Sequence, residues 1–143
     1  MDDLNLRDAV NTTAGMGMDD LNLLTGRILE SAFAIHGRLG PGLVEHAYEM
    51  ILCKDLAARG LHVERQKPIS VQYEGLLIPN AFRADIIVER AIVVEVKSHA
   101  SLTALNEKQL LTYLRIGDYR LGLLLNFGCA LMKDGVKRMV NRY

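Results

Sequence analysis

Only two cysteines occur in the 143-residue chain, Cys53 and Cys129, both in hydrophobic surroundings and without CxxC spacing. That excludes a disulfide framework or a zinc site built on thiols, and points to packing residues in a reducing, cytoplasmic setting. Net charge is missing as well, because 17 Lys plus Arg balance 17 Asp plus Glu. The field of the whole molecule therefore does not draw in a polyanion, and any nucleic-acid contact has to be local. No run of about eighteen apolar residues exists, and acids open the chain where a secretory signal would carry positive charge. The expectation is a soluble protein with no membrane partner. No GxSxG elbow accompanies Ser98 and Ser101 near His99, no third orienting acid joins them, and glycine-rich phosphate loops are absent.

What is present suffices for one core. Half of the residues are hydrophobic, and the length leaves no room for a second domain. The hexapeptide Met1–Leu6 recurs as Met18–Leu23, which is too short for a solenoid unit. With Gly15 and Gly17 just ahead of the second copy, residues 1–17 read as a mobile extension and residues 18–143 as the domain. Near the other end Lys133, Lys137, Arg138 and Arg142 face only Asp134, either a solvated basic tail or a local phosphate contact.

Helical spacing of Leu24, Ile28, Ala32, Ile35 and Leu39, stopped by Gly40-Pro41-Gly42, predicts a first helix. Val44, Ala47, Tyr48, Ile51, Leu52 and Leu56 predict a second one that ends at Gly60. Residues 61–74, 77–88 and 92–97 read as three strands. A helix over 106–116 closed by Gly117 follows, then a buried strand over 120–126. The order is α/β of mixed type, αβββαβ with an extra N-terminal helix. Residues 131–141 form a short final element of unassigned type.

Alternation along the strands gives the motif its geometry. Val93, Glu95 and Lys97 share one face, opposite Ile92, Val94 and Val96; Arg83, Asp85 and Ile87 share one face, opposite Ala84, Ile86 and Val88. The apolar faces coincide in a hairpin if the loop holds an odd number of residues, such as Glu89-Arg90-Ala91. Asp85 then stands directly opposite Glu95, with Cβ atoms roughly 4.5–5.5 Å apart. Two carboxylates at that range repel unless a proton or a cation lies between them. A divalent ion suits the pair, since hard cations take carboxylate, carbonyl and water oxygens. Lys97 is placed to touch an attacking water or a phosphoryl oxygen. The plainer reading of the same residues is a solvated charged face with cross-strand ion pairs.

The arrangement Asp85…Glu95-Val96-Lys97 on consecutive strands, followed by a helix and a buried strand, resembles the PD-(D/E)xK nuclease superfamily. Gly42-Leu-Val-Glu45-His-Ala-Tyr48 resembles the signature of its GxxExxY family, and LGPG (39–42), RADIIV (83–88), QLLTYLR (109–115), LLLNFG (123–128) and MKDGVKRMVN (132–141) agree. Ala84 stands where the superfamily name has a proline. The resemblance implies a Mg²⁺ or Mn²⁺ dependent phosphodiesterase acting on DNA or RNA. By that resemblance Asp85, Glu95 and the Val96 carbonyl would hold the metal, and Glu45 would complete its shell. Lys97 would orient the water, and Gln109 and Tyr113, four apart on one helix face, would lie near the scissile phosphate. Asn106 and Gln109 also fit a capping box, Tyr48 also fits the core, and His36 and His46 read as structural histidines. A rival reading is a non-catalytic nucleic-acid-binding or assembly module with the nuclease fold. A homodimer or a partner protein subunit is compatible with either, because one small neutral domain offers a short binding track.

Overall fold

The computed structural model describes residues 16–141. Helix α1 (Met18–Leu39) buries Leu21, Leu24, Ile28, Ala32 and Ile35 on one stripe. Its first turn carries Asp19 and Asp20, whose charge complements the helix dipole, and Asp20 Oδ2 accepts the Gly17 N–H at 3.2 Å. Gly40 ends it with φ 72°, a left-handed value that glycine adopts without a Cβ penalty. Residues 1–15 of the expected extension lie outside the described residues. Met16 packs against the core, and its carbonyl accepts a bond from Arg120 at 3.1 Å.

Helix α2 (Glu45–Ala58) buries Tyr48, Glu49, Leu52 and Leu56. Strands β1 (Val63–Tyr73) and β2 (Leu76–Val88) then form a long antiparallel hairpin. Its turn is Glu74-Gly75, both with positive φ, the signature of a primed two-residue turn. Strand β3 (Ile92–Lys97) pairs antiparallel with β2, and helix α3 (Ala104–Gly117) carries the chain across to β4 (Leu121–Asn126), parallel to β3. The unassigned stretch resolves into a 3₁₀ turn (Met132–Gly135) and β5 (Val136–Val140), antiparallel to β4. Strand order is therefore sequential, β1-β2-β3-β4-β5. Among the described residues no helix is long and apolar enough to cross a membrane.

Helices α1 and α2 pack on the sheet face formed by Ile86, Val88, Ile92, Val94, Val96, Leu121, Leu123 and Leu125. Helix α3 packs its Leu110 and Leu114 on Ile87, Val93 and Leu124 of the other face. Three expectations need correction here. Ala84 packs with Ile87 and Val93 rather than with Ile86 and Val88, because Gln66, across from Asp85 on β1, has φ 55° and breaks the two-residue alternation. The capping box of α3 is Thr103 with Asn106, whose side chains accept each other's backbone N–H at 3.2 and 3.0 Å, so Gln109 lies within the helix instead of closing a box. The left-handed residue after α3 is Asp118, one beyond Gly117.

Candidate active site

The loop between β2 and β3 is Glu89-Arg90-Ala91, and the strands pair as Val88↔Ile92, Ile87↔Val93 and Ile86↔Val94. One step further along this register Asp85 meets Glu95. There the backbone ladder stops and side chains replace it. The Val96 N–H donates to Asp85 Oδ2 at 2.9 Å, the Asp85 N–H to Glu95 Oε1 at 3.3 Å, and Gln66 Nε2 to Asp85 Oδ1 at 3.4 Å. The break at Gln66 and the end of the β2–β3 ladder thus coincide at Asp85.

Glu95 is only 6 % exposed. Burial pushes its carboxyl well above the usual carboxylate range and the charge and side chain of Asp85 push it further, while the Asp85 N–H and Lys97 oppose the shift. Two acids thus meet at one place with the carboxyl of Glu95 raised, an arrangement that a divalent cation would relieve.

A third acid lies close by that sequence reasoning passed over. Glu49, one turn beyond Glu45 on α2, is 4 % exposed and accepts bonds from Arg65 Nε at 3.2 Å and from Gln66 Nε2. Burial raises its carboxyl and the Asp85 charge adds to this, while Gln66 and Arg65 pull the other way. Gln66 bridges it to Asp85. The available signal was helical phase: Glu49 shares the stripe of Leu52 and Leu56, so an acid stands among core positions.

Glu45 is engaged elsewhere. Its Oε1 lies 2.9 Å from His99 Nε2 and accepts the Ser98 N–H at 3.4 Å, while Ser98 Oγ donates to the Leu43 carbonyl at 2.7 Å. This loop after Lys97 is clamped from β4 by the fully buried Asn126. Asn126 Oδ1 accepts the N–H groups of His99 and Gly128 at 2.9 and 3.1 Å, and Nδ2 donates to the His99 carbonyl at 3.1 Å. Gly128 is required by close approach, since a Cβ there would fall 2.2 Å from the His99 carbonyl oxygen. Tyr48 is fully buried, stacked on Phe127 at 4.6 Å between ring centres, and its hydroxyl donates to the Gly40 carbonyl and accepts the Leu43 N–H. It ties down the loop that leads into Glu45.

Of the two helix-α3 candidates, Gln109 is exposed, and Tyr113 stacks on Phe82 of β2 with ring centres 4.1 Å apart. His36 bonds the Cys129 carbonyl at 2.8 Å, and His46 lies beside Glu49 and Arg65. Both cysteines are free and half-buried, and burial pushes the Cys53 thiol up to about 11. In the basic C-terminal stretch Lys137 pairs with Glu107 at 3.2 Å and Arg138 bonds Asn22 at 2.6 Å, while Arg142 lies outside the described residues.

Among the described residues no group of three or more His, Cys, Asp and Glu side chains is arranged to hold a metal ion. The donor set that fits one is the Asp85–Glu95 pair, whose two carboxyl groups share one place and of which burial raises that of Glu95. Residues 22–139 match the model of the PD-(D/E)XK nuclease superfamily. No curated protein and no solved structure gives a match.

Proposed function

Because the chain belongs to the PD-(D/E)XK nuclease superfamily, we propose that it hydrolyses phosphodiester bonds of DNA or RNA with Mg²⁺ or Mn²⁺ as cofactor. Nucleases of the superfamily generally use such divalent metals and act on nucleic acids. The observation that carries the reading is the meeting of Asp85 and Glu95 where β2 and β3 part, with Lys97 two residues beyond. Gly42, Glu45 and Tyr48 support the GxxExxY family within it.

Asp85, Glu95 and the Val96 carbonyl would hold the ion, which supplies positive charge to a phosphoryl oxygen and acidifies a bound water. Asp85 is fixed by the Val96 N–H at one oxygen and by Gln66 at the other, so its carboxylate is presented without rotamer search. Lys97, whose charge reaches Glu95, orients the attacking water and neutralises charge that builds on the phosphoryl group. Glu49 and Gln66 hold Asp85 from the α2 side, and Glu45 with His99 sets the loop beyond Lys97. The Phe82–Tyr113 stack, three residues from Asp85 along β2, offers an aromatic face for a base.

Neutral charge favours one rival, a binding or assembly module that keeps the fold without cleaving. The test is incubation of labelled single- and double-stranded DNA and RNA with the protein in Mg²⁺, Mn²⁺ or EDTA. Cleavage that needs the ion and is lost in Asp85→Asn supports the proposal, and no product from any substrate sinks it. Binding should show separately as thermal stabilisation by Mn²⁺, worth roughly 2.7 kcal/mol at about a hundred times Kd in the wild type and absent in Asp85→Asn.

A further inference from the structure

Lys97 ends β3, and His99, two residues on, is fixed with respect to it. The Phe127 N–H donates to the Lys97 carbonyl at 2.9 Å, and Asn126, the last residue of β4, holds both the N–H and the carbonyl of His99. Between them Ser98 bonds the Leu43 carbonyl through Oγ and Glu45 through its N–H. At most about 7 Å of backbone separates Lys97 from His99, and each of the three residues is anchored.

The imidazole is oriented as well. Nε2 lies 2.9 Å from Glu45 Oε1, the side chain is 53 % exposed, and among the described residues nothing bonds Nδ1. Ser98 already ties this loop to the segment that leads into α2, so the ring is not needed as a strap. A carboxylate partner requires the hydrogen on Nε2, and the neutral ring then presents Nδ1 as a hydrogen-bond acceptor.

The surroundings decide what that acceptor meets. Residues 39–44 and 98–106 contain no Lys, Arg, Asp or Glu, and Glu45 between them adds negative charge. A phosphate oxygen, itself an acceptor, finds no donor on Nδ1 of the neutral ring and no cation in either segment. A ribose 2′-hydroxyl is an uncharged donor. The sugar that carries it adjoins the phosphate to which Lys97 is assigned, within the span between Lys97 and His99.

We propose that His99 accepts a hydrogen bond from the 2′-hydroxyl of the nucleotide beside the scissile phosphate, so that the strand held at this site is RNA. The inference rests on the proposed function for the place of that phosphate.

Fluorescence anisotropy of the full chain in EDTA, where the metal-dependent reaction is stopped, compares three labelled probes: a short oligouridine, its 2′-deoxy form and its 2′-fluoro form. The 2′-fluoro sugar keeps the ribose pucker and lacks the donor, which separates the hydroxyl from the shape of the strand, and the base is the same throughout. Oligouridine should bind about five- to tenfold tighter than the other two. In His99→Ala all three should bind alike at the weaker level with an unchanged circular dichroism spectrum, because Asn126 holds the backbone of His99 and not its ring. The comparison of probes in the wild type does not depend on the variant. Equal affinity for the three probes, no binding of any, a preference that the 2′-fluoro form shares, or a preference unchanged in His99→Ala overturns the proposal. Metal-dependent cleavage of DNA and RNA alike, with equal affinities, leaves the proposed chemistry standing while this inference falls. A hydroxyl preference that needs His99, without cleavage, does the reverse.

Discussion

At its turn end the β2–β3 hairpin sets Ile86, Ile87 and Val88 against Val94, Val93 and Ile92, all of them buried. One residue further, at the other end of the same register, stand Asp85 and Glu95, joined through side chains where the ladder has stopped. Burying each apolar side chain of the first end stabilises by roughly 1.5–3 kcal/mol. Burying a carboxylate costs free energy unless it is paired or protonated. The contrast teaches that the packed end holds the polar end in an arrangement that two acids would not adopt by themselves. In the proposed function, chemistry and stability are thus divided along one hairpin.

Glu95→Gln bears on this division most strongly. It should abolish cleavage and the Mn²⁺ response, yet flatten the decline of metal-free stability with pH. The sign follows from the raised carboxyl: its contribution is fully present below the ordinary value of 4.5 and is lost as pH rises through the raised value. Melting curves from mildly acidic to alkaline pH measure this, and equal slopes in both proteins would show that Glu95 is not held protonated. Next, Lys97→Ala should lower kcat by about 10²–10³-fold while leaving metal binding and melting temperature in place, as single-turnover assays and calorimetry can read. Normal turnover would remove Lys97 from the chemistry.

Ile86→Ala tests the packed end. It should destabilise by about 3 kcal/mol in denaturant titration, with kcat per folded molecule unchanged. A matching loss of kcat would mean that the two ends are not separable. The smallest effect belongs to Asn126→Ala, which frees the backbone groups of His99 and Gly128 and should cost about 2 kcal/mol. A cost near zero would show that the loop beyond Lys97 is held by something other than Asn126.

Much of this was legible from local pattern. Apolar periodicity marked α1 and α2, Gly40 and Gly60 marked their ends, and the odd loop Glu89-Arg90-Ala91 placed Asp85 against Glu95. Glu49 was not legible as a site neighbour, because helical phase says that an acid is buried but not beside what. The face of Ala84 was misread because one residue on another strand, Gln66, breaks the alternation. The start of α3 was misplaced because Asn106 can close a box in either direction, and Thr103 holds it.

By itself, then, the sequence determined the elements up to β4, the meeting of Asp85 and Glu95, and the superfamily, since these depend on short spacings along one chain. Tertiary structure alone decided that Glu45 turns to His99, that Glu49 reaches Asp85 through Gln66, that Asn126 clamps the loop after Lys97, and that β5 completes the sheet. Those contacts join residues 17 to 54 positions apart or add a strand at the sheet edge, and such distances close only when the whole core has packed.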